Sequence, residues 1–77
     1  MDITAEQCLG ARAMLRMKRE ELAKAAEVAV ATLADFETGR RTPHHRTLAA
    51  IRAALETAGI EFIPQNGNGP GVRLKLR

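Results

Sequence analysis

A mainly helical fold, four helices followed by a short β-hairpin, is what this sequence predicts, and three observations predict it. Apolar residues recur at helical spacing from Thr4 to Ala58. The apolar share, 45% of 77 residues, is largely alanine and leucine, with two phenylalanines and no tryptophan or tyrosine. Small aliphatic side chains suit closely spaced helices and argue against a large all-β design. From Ile60 onward the pattern changes to a period of two, interrupted by a run of turn formers. The length allows one folded unit and excludes a multidomain enzyme.

The first helix is announced by Thr4-Ala5-Glu6-Gln7, a capping box in which the Thr4 hydroxyl accepts from the amide three residues on and Gln7 reaches back. Ile3 and Cys8 stand at the staple positions, and Cys8, Ala11 and Leu15 continue the inward face to about Met17. Lys18 to Ala26 forms a second, short helix of strong helix formers with acids in its first turn, burying Leu22, Ala23 and Ala26. Around Glu27 and Val28 the apolar set falls out of phase, which marks a tight turn.

A third helix, from about Ala29 to Thr38, buries Leu33 and Phe36, and Gly39 supplies the left-handed residue after it. Arg40-Arg41-Thr42-Pro43 is the exit loop, with Thr42 as N-cap and Pro43 in the first turn of a fourth helix. Leu48, Ile51, Leu55 and Ala58 share one face of that helix, and Gly59 ends it. Ile60 to Ile63 and Val72 to Leu76 then alternate across a seven- or eight-residue loop, the pattern of a β-hairpin. Two strands alone are marginal in water, so the hairpin must cover helices or pair with a second chain.

Charge divides along the chain. Residues 1–37 hold five basic and seven acidic side chains, whereas residues 38–77 hold seven basic and two acidic ones, for a total of +3. A basic second half favours a polyanionic partner. The single cysteine, Cys8, forms no internal disulfide, no apolar run is of membrane length, and no signal peptide is expected from the pattern of the first residues. A reducing, cytoplasmic setting and no membrane partner are expected.

Two short helices joined by a tight turn, then a basic loop and a longer helix, is the layout of a helix-turn-helix unit. Residues 7–58 resemble the Xre/Cro-like, lambda-repressor-like helix-turn-helix domains of phage repressors and bacterial transcriptional regulators. The resemblance is carried by Glu20-Glu21-Leu22-Ala23, by Val28 and Leu33, and by Phe36-Glu37-Thr38-Gly39 with Arg41-Thr42-Pro43. It implies binding of double-stranded DNA, with the third helix in the major groove and phosphates held at the start of the second helix and by the loop after the third.

Carried onto this sequence, the resemblance puts Val30, Ala31, Thr32 and Asp35 against base edges. It gives Arg19, Thr38, Arg40, Arg41 and Arg46 to phosphates, with His44 and His45 close by, and Arg12 and Glu37 to a structural ion pair. Val30 and Ala31 donate no hydrogen bond but suit thymine methyls. Thr32 can bond a base or a phosphate, and Asp35 accepts from a cytosine amino group or else repels the duplex. A single domain of this size makes few contacts, so a homodimer on two-fold related half-sites is expected. The division expected is 1–59 for DNA binding and 60–77 for dimerisation, through Ile60, Phe62, Val72, Leu74 and Leu76. The alternative is a protein-interaction module, an antitoxin or anti-regulator that uses the third helix on a protein partner.

Other signals carry no chemistry. The Gly67, Gly69, Gly71 series lacks the Lys-Ser/Thr pair and helix of a phosphate loop. Adjacent His44 and His45 do not converge on a metal, and Cys8 has no histidine placed beside it in the chain. No enzyme activity, cofactor or metal is expected.

Overall fold

The computed structural model describes residues 2–75. Helices α1 (Ala5–Leu15), α2 (Arg19–Ala26), α3 (Val30–Glu37) and α4 (His45–Thr57) are followed by strands β1 (Ile60–Ile63) and β2 (Gly71–Leu74). Helix α2 packs on both α3 and α4, and α1 crosses α3. The antiparallel hairpin closes the other side, with β1 on α4 and β2 on α1. Ile60 pairs with Leu74 and Phe62 with Val72, so these four side chains share the face turned to the helices.

The capping box at α1 forms from both directions: the Gln7 amide donates to Thr4 Oγ1 at 3.0 Å and the Thr4 amide to Gln7 Oε1 at 2.9 Å. The same glutamine has a second task. Its Nε2 donates to the carbonyls of Ile63 at 3.1 Å and Gly71 at 3.0 Å, the last pair of the hairpin ladder. A buried amide thus ties the start of α1 to the open end of the hairpin, and every polar atom of its side chain is satisfied. Gly10 permits the approach of β2, since a Cβ there would stand 3.3 Å from Val72 Cγ2.

One hydrophobic core runs through the chain. Cys8, Ala11, Leu22, Leu33, Ile51, Leu55 and Ile60 are fully enclosed, and Ile3, Ala23, Ala26, Phe36, Leu48 and Phe62 nearly so. Ile60 and Phe62 were expected at a dimer contact; they lie instead in this core, against the same residues as the helices. The reason is that the hairpin lies on α1 and α4 and covers their apolar side. Val72 is half-buried, Leu74 is 43% exposed, and Leu76 lies outside the described residues.

Two helix boundaries differ from expectation. Helix α1 stops at Leu15, where Arg16 turns left-handed (φ 53°) and the Met17 amide closes on the Arg12 carbonyl at 3.0 Å. Helix α4 starts at His45, not Pro43. His44 is its N-cap, with Nδ1 accepting from the Arg46 amide at 3.1 Å, and Thr42 does not cap. One turn before Leu48 stand His44 and His45, both exposed, so the start of the helix has no apolar group to bury.

Candidate nucleic-acid interface

The end of α3 sets the position of the arginine loop. Gly39 adopts φ 78°, its amide donates to Phe36 O at 3.2 Å, and the Arg40 amide donates to Asp35 O at 2.9 Å. That is a Schellman closure, and the Arg41 amide adds a further bond to Asp35 O at 3.2 Å. The backbone therefore leaves α3 in a fixed direction, with Arg40 and Arg41 exposed beside it and Arg46 exposed in the first turn of α4. None of these three guanidiniums makes an ion pair among the described residues.

Helix α3 turns Val30 and Ala31 outward, Val30 with 43% of its surface exposed. Its N-cap, Ala29, has no side-chain acceptor for the first-turn amides. Thr32 and Asp35 are half-buried and form one wall of a groove of about 260 Å³, opposite Arg41, Thr42, Pro43, His44 and Thr47. Two of the residues assigned to bases, Thr32 and Asp35, thus share a groove with Arg41 of the loop assigned to phosphates. Thr38 is exposed, and its hydroxyl donates to Ala34 O at 2.8 Å.

Beneath this surface lies a buried carboxylate. Glu37 Oε2 accepts from Arg12 Nε at 2.7 Å and from Cys8 Sγ at 3.2 Å; Oε1 accepts from Arg12 Nη2 at 2.8 Å and from Arg19 Nε at 2.9 Å. Both oxygens are saturated, four bonds in all. Burial pushes the Glu37 carboxyl up, and the bonds from Arg12, Arg19 and Cys8 more than offset it, holding it below the ordinary carboxylate value. The Cys8 thiol is pushed up to about 12, first by burial and then by its bond to the carboxylate. It is a protonated donor here and no nucleophile.

Arg19 therefore has two faces. Nε is held by Glu37, while the side chain stays 34% exposed and its two terminal amino groups make no bond among the described residues. Two guanidiniums against one carboxylate leave this cluster with a surplus positive charge, delivered to the surface at the start of α2. Sequence reasoning missed the Arg19–Glu37 bond and the Cys8 thiol within the cluster. The available signal was the short α2–α3 turn, which brings the first residue of one helix beside the last of the next.

Among the described residues, no group of His, Cys, Asp and Glu side chains could hold a metal ion, and no helix is long and apolar enough to cross a membrane. A protein-family model described as helix-turn-helix matches residues 11–62, the span from the middle of α1 into β1. No curated protein matches the chain.

Proposed function

Because the chain belongs to the Xre/Cro-like helix-turn-helix family of DNA-binding regulators, we propose that it is a sequence-specific, cytoplasmic transcriptional regulator acting as a homodimer. Helix α3 enters the major groove, with Val30, Ala31, Thr32 and Asp35 toward the bases. Arg19, Arg40, Arg41 and Arg46 grip the phosphates on either side. The observation that carries this reading is the set of exposed guanidiniums at Arg40, Arg41 and Arg46, just after α3 and in the first turn of α4, which make no ion pair among the described residues. A concentration of positive charge on one part of a surface attracts and steers a polyanion.

Dimerisation is proposed through residues 60–77, at the edge of the hairpin where Leu74 is exposed and Val72 half-buried, while residues 1–59 supply the contacts to DNA. Pairing two domains sets their recognition helices about 34 Å apart, one turn of duplex. The test is fluorescence anisotropy with labelled duplex at increasing salt. Affinity should fall steeply, and Arg41→Ala should weaken all sequences alike while lowering the salt slope by about one. A chain that binds no duplex at low salt refutes the reading and leaves the family scaffold to a protein partner.

A further inference from the structure

Helix α3 reads Val-Ala-Thr-Leu-Ala-Asp-Phe-Glu, with Leu33, Phe36 and Glu37 buried. Its outward face carries no amide, guanidinium or ammonium group. Guanine is identified in the major groove by paired donors from arginine or lysine, and adenine by asparagine or glutamine, so neither purine finds its usual partner on this helix. What the face does offer is the isopropyl group of Val30, 43% exposed, the methyl of Ala31 and, one turn on, the Asp35 carboxylate. Val30 is one of four large apolar side chains exposed on the molecule, and the only one of them on α3 among the described residues.

Each of these groups has a counterpart on a pyrimidine. Apolar side chains meet the C5-methyl group, the only apolar feature that a base pair shows in the major groove. A carboxylate accepts from the cytosine amino group, and adenine sets a repelling N7 acceptor beside its own amino group. Asp35 shares its groove with Arg41, whose charge offsets the repulsion of the carboxylate by nearby phosphates.

We propose that α3 is a pyrimidine reader, and that Val30, supported by Ala31, recognises a C5-methyl group on thymine or 5-methylcytosine as the main base determinant. The inference rests on the DNA-binding reading above and adds the chemical class of site it prefers. Donor-poor and apolar, the helix rewards a methylated edge and gains little from a bare one.

The test uses the full chain and a duplex enriched by it from a random pool, synthesised with thymine, with uracil in place of thymine, and with 5-methylcytosine in place of cytosine. Uracil differs from thymine by the methyl alone. Each methyl met should be worth about fourfold in affinity, lost where uracil replaces a contacted thymine and gained where 5-methylcytosine replaces a contacted cytosine. The difference should shrink in Val30→Ala, an exposed substitution that leaves the core intact. Equal affinity for the thymine and uracil duplexes, or an undiminished difference in Val30→Ala, overturns the inference while salt-sensitive binding keeps the DNA-binding reading. Failure of every duplex to bind at low salt overturns both.

Discussion

Arg12 and Met17 are joined across the end of α1: Arg12 Nη1 donates to the Met17 carbonyl at 3.1 Å while Nε and Nη2 of the same guanidinium hold Glu37. One side chain thereby fastens α1, the α1–α2 connection and the last turn of α3. Only a planar, forked donor can do this, because an ammonium has neither the span nor the fixed geometry. Arg12→Lys should therefore behave as a loss of the pair. Losing charge-assisted bonds to this carboxylate should cost about 1–3 kcal/mol, because Arg19 and Cys8 still bond Glu37. A urea melt of Arg12→Lys should show the lower midpoint; an unchanged midpoint would mean that the network does not hold the helices.

Acid should dissolve the same network. Glu37 titrates below its ordinary value of 4.5 in the folded chain, through bonds that outweigh the cost of burial. An acid with a depressed folded value stabilises the fold fully above the unfolded value and loses that contribution as pH falls through the folded one. The stability gap between the native chain and Glu37→Gln should be constant near neutrality and narrow below pH 4.5. A gap that widens with acid contradicts the assignment.

Cys8 should resist thiol reagents. It is fully buried, bonded to Glu37, and pushed from 9.0 up to about 12. A raised folded value means that its contribution to stability is complete below pH 9.0 and fades as pH climbs toward 12. Native protein in mildly alkaline buffer should label with a chromogenic disulfide only as fast as it opens, and denaturant should accelerate the reaction sharply. Rapid stoichiometric labelling of the native chain would place the thiol at the surface.

Two residues without glycine's freedom occupy the left-handed region, Arg16 (φ 53°) and Glu27 (φ 57°), each closing a helix before a tight connection. That conformation costs an ordinary side chain about 1–2 kcal/mol, against a smaller loss from glycine's looser unfolded state. Glu27→Gly lies in the turn between α2 and α3, where its side chain is exposed and makes no bond among the described residues. It should stabilise by roughly 0.5–1 kcal/mol and raise Tm by a few degrees in a domain of this size. A lower Tm by calorimetry would show that the turn relies on its side chain.

The features legible in the sequence were those set by near neighbours. The capping box joins residues three positions apart, the Gly39 closure lies three residues after Phe36, and the hairpin register follows from alternation around a turn-rich loop. Contacts between distant segments were not legible. Gln7 looked complete as a capping residue, and its reach to Gly71 spans 64 positions that no local pattern connects. Ile60 and Phe62 read as a free apolar face because alternation reports that a strand has such a face and not what lies upon it. The start of α4 was misplaced for a related reason: Thr42-Pro43 is a sound local start, but the inward register of Leu48 and Ile51 leaves nothing apolar for an added turn to bury.

Leu74 separates the part of the hairpin that builds the fold from the part proposed to join two chains. Ile60 and Phe62 are enclosed, and the Lys75 amide secures the end of β2 to the Gly59 carbonyl at 2.8 Å, so the strand keeps its place without help from the Leu74 side chain. That side chain is 43% exposed, within reach of Gly59, while Met14 on α1 is 45% exposed one turn beyond Gly10, the residue packed on Val72. An apolar set of this kind at the rim of a two-stranded sheet fits a second copy laid alongside. Leu74→Lys should keep the helical circular dichroism of the native chain yet halve the mass measured by light scattering. Its affinity for a two-half-site duplex should fall by about a hundredfold, because each domain then binds without its linked partner. If the lysine variant stays dimeric, the joint lies elsewhere; if the native chain is itself monomeric at the concentrations that bind DNA, pairing through this strand is refuted.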